Sequence, residues 1–189
     1  MGLNIIMETV SILKNTPRTG WLQCGVPPHE AETVAEHTFE AVSILMAFAF
    51  SSDERVDAKK MLIMGIVHDF GEAVSGDIPK GLTEVIGRRI KREAELEIMK
   101  NVAASSGLPN ILNIFEEYER RKTDEAILVK VADLVSTLRQ ASIYSKRGYK
   151  VDNIIDGYRK ELFAVLKKIK DKHLKNMIKD LVDGPSPFL

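Results

Sequence analysis

Apolar residues recur at spacings of three and four along nearly the whole chain, and almost nowhere do they alternate with polar ones. Such spacing lines them up on one stripe of an α-helix, whereas a half-buried strand needs a period of two. Leu3, Ile6, Met7, Val10 and Leu13 predict a first amphipathic helix, ended by NTPRTG. A loop rich in Pro and Gly is expected from Thr16 to His29. A second helix follows from Glu32 to Ser51, nearly apolar all round after Ala41, the pattern of a central helix enclosed by others. Asp57 is placed to cap a third helix through AKKMLIMGIVHDF, with a loop at VSGDIPKG. TEVIGRRIKREAELEIMKNVAASSG reads as one charged helix closed by Gly107 and Pro109, and NILNIFEEYERR as a short helix after it. Thr123 would cap the long helix DEAILVKVADLVSTLRQASIYSKRG. Ile154, Ile155, Tyr158, Leu162, Val165 and Ile169 stripe another, and DKHLKNMIKDLVD forms the last. No segment reads as a strand. The expectation is an all-α, single-domain helical bundle over residues 1–183, with residues 184–189 as a tail.

A chain of 189 residues, 44% apolar, can bury a substantial single core. Its 27 Lys and Arg residues balance 27 Asp and Glu residues, so bulk charge gives no reason to expect a nucleic-acid polymer or an anionic membrane as partner. A small molecule or a protein fits better. The one cysteine, Cys24, can neither close an intrachain disulfide nor build a Cys-rich metal site, so any metal must be held by His and carboxylates. Asn4 and Glu8 interrupt the first apolar stretch, and the run Ala41 to Phe50 is about half of a membrane span. A cytoplasmic protein is expected.

The stretch GIVHDFGEAVSGDIP, Gly65 to Pro79, ends an apolar run in His68-Asp69 and adds Glu72 and Asp77 within ten residues. His68 and Glu72 share a direction if the helix persists past Asp69. Taken alone, the pair is better explained as a hydrogen-bonded core histidine and a helix-end charge. His37, on the inward face of the second helix, shifts the balance: two of the four histidines then fall where two helices would meet. On the long helix, Asp133 shares a face with Ala126, Val129, Ser136, Thr137, Gln140 and Tyr144, apart from the apolar stripe Ile127, Val131, Leu134 and Leu138. Only Lys130, at the margin, is basic there, whereas a solvated face of so charged a chain would carry several such residues. Two imidazoles and two carboxylates suit one divalent ion, Mn, Co, Zn or Fe, with positions left for water. His29, in a loop after Pro27-Pro28, and His173 are poor candidates for a second metal. The forked guanidinium of Arg18 suits a phosphate.

The order His37, His68-Asp69, Asp133 resembles the H...HD...D signature of HD-domain phosphohydrolases, all-helical metal enzymes. RTGW (Arg18 to Trp21), TVAEHT, HDFGEAVSGDIP and KVADLVSTLRQ are similar, more specifically, to the YfbR-like 5'-deoxynucleotidase branch, and the likeness runs from about Leu3 to Leu166. The resemblance implies that His37, His68, Asp69 and Asp133 bind one divalent metal. It also implies that Glu72 handles protons at the attacking water, with Arg18 and Asp77 at a nucleoside 5'-monophosphate substrate, deoxy in preference; Asp77 is expected to assist Glu72 in moving protons and Arg18 to neutralise charge. Trp21 stands three residues after Arg18, where better-known bacterial members carry an aromatic directly after the arginine. Contact with the sugar and simple core packing are both open for it.

Two other readings compete. A triphosphate, cyclic dinucleotide or guanosine polyphosphate would need more basic contacts than Arg18 with Lys80 nearby. A catalytically silent module would bind a protein partner through RRIKREAELEIMK, and in that case Asp69→Asn would alter stability alone. The apolar faces of the last helices are expected to support a homodimer.

Overall fold

The computed structural model describes residues 2–51 and 56–183; the expected tail lies outside the described residues. Among those residues the chain is all-α, with eleven helices, and β-type pairing is confined to one isolated bridge between Pro17 and Thr33. The centre is α9 (Asp124–Lys146), which buries fifteen of its 23 residues. It begins as its sequence requires, with the Thr123 side chain accepting from the Ala126 amide. Around it pack α3 (Val34–Ser51), α4 (Ala58–Val67), α8 (Asn110–Arg120), α10 (Asp152–Leu166) and α11 (Lys172–Asp183). Asp57 caps α4 by accepting from Lys60 N, again as the sequence predicts.

Close approach of α3 and α4 determines which side chains share their seam. A Cβ on Gly65 would lie 2.4 Å from Leu45 Cδ1, so only glycine lets the two helices meet there. Along the same seam, the rings of His37 on α3 and His68 at the end of α4 face each other with centroids 5.7 Å apart.

Several expectations need correction. The helix expected to be enclosed, α3, buries only the stripe through His37, Ala41, Ile44, Leu45 and Phe48. Its other face is open, with Phe39 77% and Phe50 87% exposed, because the partners α4 and α9 cover one side. The central position belongs to α9. By length and composition alone α3 could cross a membrane, with 18 residues at mean hydropathy 1.2, and one face of it packs against α4 and α9. The single charged helix is two, α6 (Lys80–Ile86) and α7 (Arg88–Ser106), because Gly87 adopts φ 87° and ψ 140°, a conformation that breaks the helical ladder. The expected Thr16–His29 loop holds a short helix, α2 (Thr19–Gln23). The third helix stops at Val67 rather than running through Phe70, and one turn, α5 (Glu72–Ser75), follows. The first helix, α1 (Gly2–Leu13), lies against α7, which ends at Gly107 in the left-handed conformation (φ 68°).

Candidate active site

The backbone opens where α4 ends, and that opening lets adjacent residues both serve one centre. His68, at the α4 C-cap, donates from Nδ1 to the Gly65 carbonyl at 2.7 Å, which in the neutral ring leaves the lone pair on Nε2. That atom is 3.1 Å from Asp69 Oδ2. Across the seam, His37 Nε2 lies 3.8 Å from the same Asp69 oxygen and 3.3 Å from Asp133 Oδ1 on α9. Ligand atoms of His37, His68 and Asp69 all fall within 4.8 Å of one another. Both Nε2 atoms are fully buried and have no hydrogen-bond partner. A buried polar atom left unpaired is costly. Two of them aimed at two carboxylates is the donor set a divalent cation satisfies, so the residues fit such an ion.

Electrostatics treat the two imidazoles differently: burial alone would lower the His68 pKa, but the Asp69 carboxylate beside it outweighs burial and raises it. Burial, and then the nearby Arg18, pull the His37 pKa down and keep the ring neutral. Burial would raise the pKa of Asp133, but Lys130 and then His37 outweigh it and hold the carboxyl well below the usual range. For Asp69 burial is likewise outweighed, here by His68 and His37. Glu72 behaves in the opposite way. Burial first, then the Asp69 and Asp77 carboxylates, push it well above the ordinary value, and its Oε2 has no partner.

All of these groups except His37, which lies behind them, help line a cavity of about 590 Å³, together with Arg18 and Asp77. Arg18 is anchored through its backbone amide, which donates to Glu32 O at 2.9 Å, while its Nη1 is buried and unpaired. Asp77 follows Gly76, whose φ of 71° turns the chain, and it is pinned to the start of α2. There Thr19 N donates to Asp77 Oδ2, and Thr19 Oγ1 donates to the Asp77 carbonyl at 2.8 Å. A second cavity of about 440 Å³ shares Arg18, Asp77, Ile78, Lys80 and Tyr158 with the first and continues along Trp21, Pro79 and Ile154. Trp21 is 2% exposed, stacks edge-on to Tyr144 and donates from Nε1 to Glu32 Oε2 at 2.9 Å. Most of its indole is therefore core. His29 is a surface residue, as expected, with its side chain 79% exposed.

The HD-domain family model matches residues 10–177. The chain belongs to the HD-domain family. Among similar HD-domain relatives is 5'-deoxynucleotidase HDDC2 of Dictyostelium discoideum, 30% identical over 150 residues that cover 76% of this chain and 77% of its own length. The Homo sapiens protein of the same name is 30% identical over 157 residues, 80% of this chain and 72% of its own. In structure, the chain is similar to the PH0347 protein of Pyrococcus horikoshii OT3, with TM-score 0.80 and 30% identity over 97% of this chain and 99% of that one. HD-domain phosphohydrolases are metal-dependent, consistent with the His and Asp cluster of this chain.

Other residues around this HD-domain cluster were not singled out by the sequence. Lys130, read only as a margin residue, donates to Asp133 Oδ2 at 2.8 Å and lies 3.3 Å from Glu161 Oε1. It thereby turns Asp133 Oδ1 toward His37, and its i,i+3 spacing from Asp133 was the available signal. Arg121 holds the left-handed conformation (φ 52°) with its guanidinium 3.7 Å from the Tyr118 ring centroid, on the cavity wall. Nothing in its sequence context marks that conformation. Glu32, which anchors Trp21, is pushed up to about 7, chiefly by burial.

Proposed function

We propose that the protein removes the phosphate from nucleoside 5'-monophosphates, deoxyribonucleotides in preference, using one divalent ion held by His37, His68, Asp69 and Asp133. The observation that carries the reading is the pair of buried Nε2 atoms, without hydrogen-bond partners, facing two carboxylates beside a cavity that Arg18, whose Nη1 is likewise buried and unpaired, helps to line. Relatives named 5'-deoxynucleotidase, at 30% identity over most of the chain, support the same chemistry. When bound, the ion polarises a phosphoryl oxygen and lowers the pKa of a water; Mn, Co, Zn or Fe suits this nitrogen and oxygen set.

The chain's own residues supply the rest. Arg18 grips the phosphate through its fork and offsets charge as the phosphoryl group transfers. Glu72, held protonated more readily than an ordinary carboxyl, moves a proton at Oε2 between the attacking water and the leaving 5'-oxygen. Asp77, fixed by Thr19, faces the sugar, and the apolar wall of Ile78, Pro79, Ile154 and Tyr158 accepts sugar and base. A colorimetric phosphate assay with Mn²⁺ or Co²⁺ tests the proposal. Release from 5'-monophosphates and none from 3'-monophosphates is expected; no release from any 5'-monophosphate removes the reading.

A larger phosphorylated nucleotide is the second reading, because the cavity wall is more basic than the sequence implied: Arg88, Arg92 and Lys168 line it further out, and Lys91, Arg121 and Lys130 stand beside Arg18 and Lys80. Four of the latter five are engaged, Lys91 with Glu95 at 3.1 Å, Lys80 with Glu161 and Arg121 with Glu119 each at 3.8 Å, and Lys130 with Asp133 and Glu161, which favours a single phosphate at Arg18. Chromatography of products, separating orthophosphate from pyrophosphate and tripolyphosphate, decides between them. A cytoplasmic homodimer is part of the same proposal, and light scattering of the purified protein checks the assembly.

A further inference from the structure

His68 and His37 reach the same arrangement by different means. The Nδ1 proton of His68 is fixed by a backbone carbonyl, which can only accept. The Nδ1 of His37 instead meets the hydroxyl of Ser136 at 3.2 Å, and a hydroxyl can either donate or accept. For a neutral imidazole this choice decides everything: if the hydroxyl accepts, Nδ1 carries the proton and Nε2 is bare; if it donates, Nε2 is protonated and useless as a ligand.

The deciding group lies one step further out. Ser136 Oγ also sits 2.8 Å from Glu40 Oε2, and an ionised carboxylate can only accept. The single hydroxyl proton therefore goes to Glu40, and Ser136 is left to accept from His37 Nδ1, against the opposite pull of Asp133 Oδ1, an acceptor 3.3 Å from Nε2. Arg139 Nε donates to Glu40 Oε1 at 3.2 Å, which fixes the carboxylate from its other side. The spacing makes the chain possible. Glu40 lies three residues after His37 on α3, Ser136 lies three after Asp133 on α9, and both project into the seam between those helices.

We propose that Glu40, acting through Ser136, is a positioning residue that locks His37 in the tautomer with a bare Nε2 and so sets the affinity of the site for its divalent ion. This rests on the reading of His37 as a metal ligand. Glu40→Gln is the informative variant because it keeps shape and changes polarity. Arg139, a donor, holds the amide oxygen, so the amide NH₂ turns toward Ser136 and donates to it. The hydroxyl then donates to His37 Nδ1 and moves the ring proton to Nε2.

The experiment uses the full chain. Long-range ¹H–¹⁵N spectra of the metal-free protein report which nitrogen of His37 is protonated, and calorimetric titration with Mn²⁺ alone reports affinity. The expected result is a larger population of the tautomer with a bare Nε2 in the parent protein than in Glu40→Gln, and Mn²⁺ affinity about tenfold to a hundredfold weaker in Glu40→Gln and Ser136→Ala. The double variant should lose no more than Ser136→Ala alone, and Glu40→Asp or Ser136→Thr should recover much of the loss, which a merely structural role would not produce. The same His37 tautomer population in the parent and Glu40→Gln, or Mn²⁺ affinities within twofold of each other, overturns the inference. Those failures are distinct from failure of the metal site itself, which would show as His37→Ala binding Mn²⁺ like the parent.

Discussion

Gly65→Ala tests whether the meeting of α3 and α4 builds the centre. The added methyl would lie 2.4 Å from Leu45 Cδ1 and 3.3 Å from Val42 Cγ2. Carbon atoms rest at about 3.5–4.0 Å, so something must yield by about 1 Å. Leu45 is 0% exposed and cannot swing into solvent. Overpacking of this kind costs about 1–3 kcal/mol. Replacing glycine by alanine inside a helix returns about 1 kcal/mol. The net loss is about 1 kcal/mol, a fall in Tm of about 2–4 °C for a chain of this size. The effect on the centre should be larger than that on stability. The Gly65 carbonyl holds His68 Nδ1 at 2.7 Å, so a shift there passes to Nε2, and metal sites tolerate only about 0.2 Å. Mn²⁺ affinity should fall about tenfold or more. Differential scanning fluorimetry and calorimetric titration read the two effects. Leu45→Val, which removes the clashing methyl, should be less damaging beside Gly65→Ala than in the parent. A raised Tm with unchanged Mn²⁺ affinity would refute the reasoning.

Named contacts give four further expected outcomes. Asp69→Asn should abolish Mn²⁺ binding in calorimetry and phosphate release with it, because Asp69 Oδ2 faces both imidazoles. Arg18→Lys keeps charge but loses the fork, so kcat/KM should drop about tenfold or more while Mn²⁺ affinity stays. Glu32, whose pKa rises from 4.5 to about 7 on folding, binds its proton more tightly in the folded state. Its ionisation thus removes stability as pH rises through that interval, by up to about 3 kcal/mol above it. Glu32→Gln keeps an acceptor for Trp21 and should be stabilising relative to the parent at pH 8 but not at pH 4.5; an equal difference in denaturant midpoint at both would contradict this. Thr123→Ala removes the α9 cap, a long contact at 3.4 Å, and should cost about 0.5–1 kcal/mol in urea unfolding with metal affinity unchanged.

Much of the architecture was legible in the sequence because the relevant signals are local. The 3.6-residue period, Asp57 and Thr123 as caps and Gly107 as a stop fix helix identity within a few residues of where each occurs. The polar face around Asp133 was readable for the same reason. Gly87 was not: a lone glycine in a helix-favouring stretch is often tolerated, and only its φ of 87° reveals the break. The open face of α3 was hidden because exposed and buried phenylalanines look alike in a sequence; Phe48 is 0% exposed and Phe50 87%. Among site residues, His68 and Asp69 announced themselves as neighbours, whereas Ser136 and Glu40 meet across 96 positions and Trp21 and Glu32 across a folded loop. Such pairings depend on tertiary contact, which no local pattern encodes.

The central claim is that His37, His68, Asp69 and Asp133 enclose one cation. Anomalous diffraction from crystals grown in saturating MnCl₂ tests it directly. The expected result is a single Mn²⁺ peak about 2.0–2.3 Å from His37 Nε2, His68 Nε2 and an oxygen of each aspartate. A cluster without density at saturating salt, or an ion bound away from these four side chains, would contradict it.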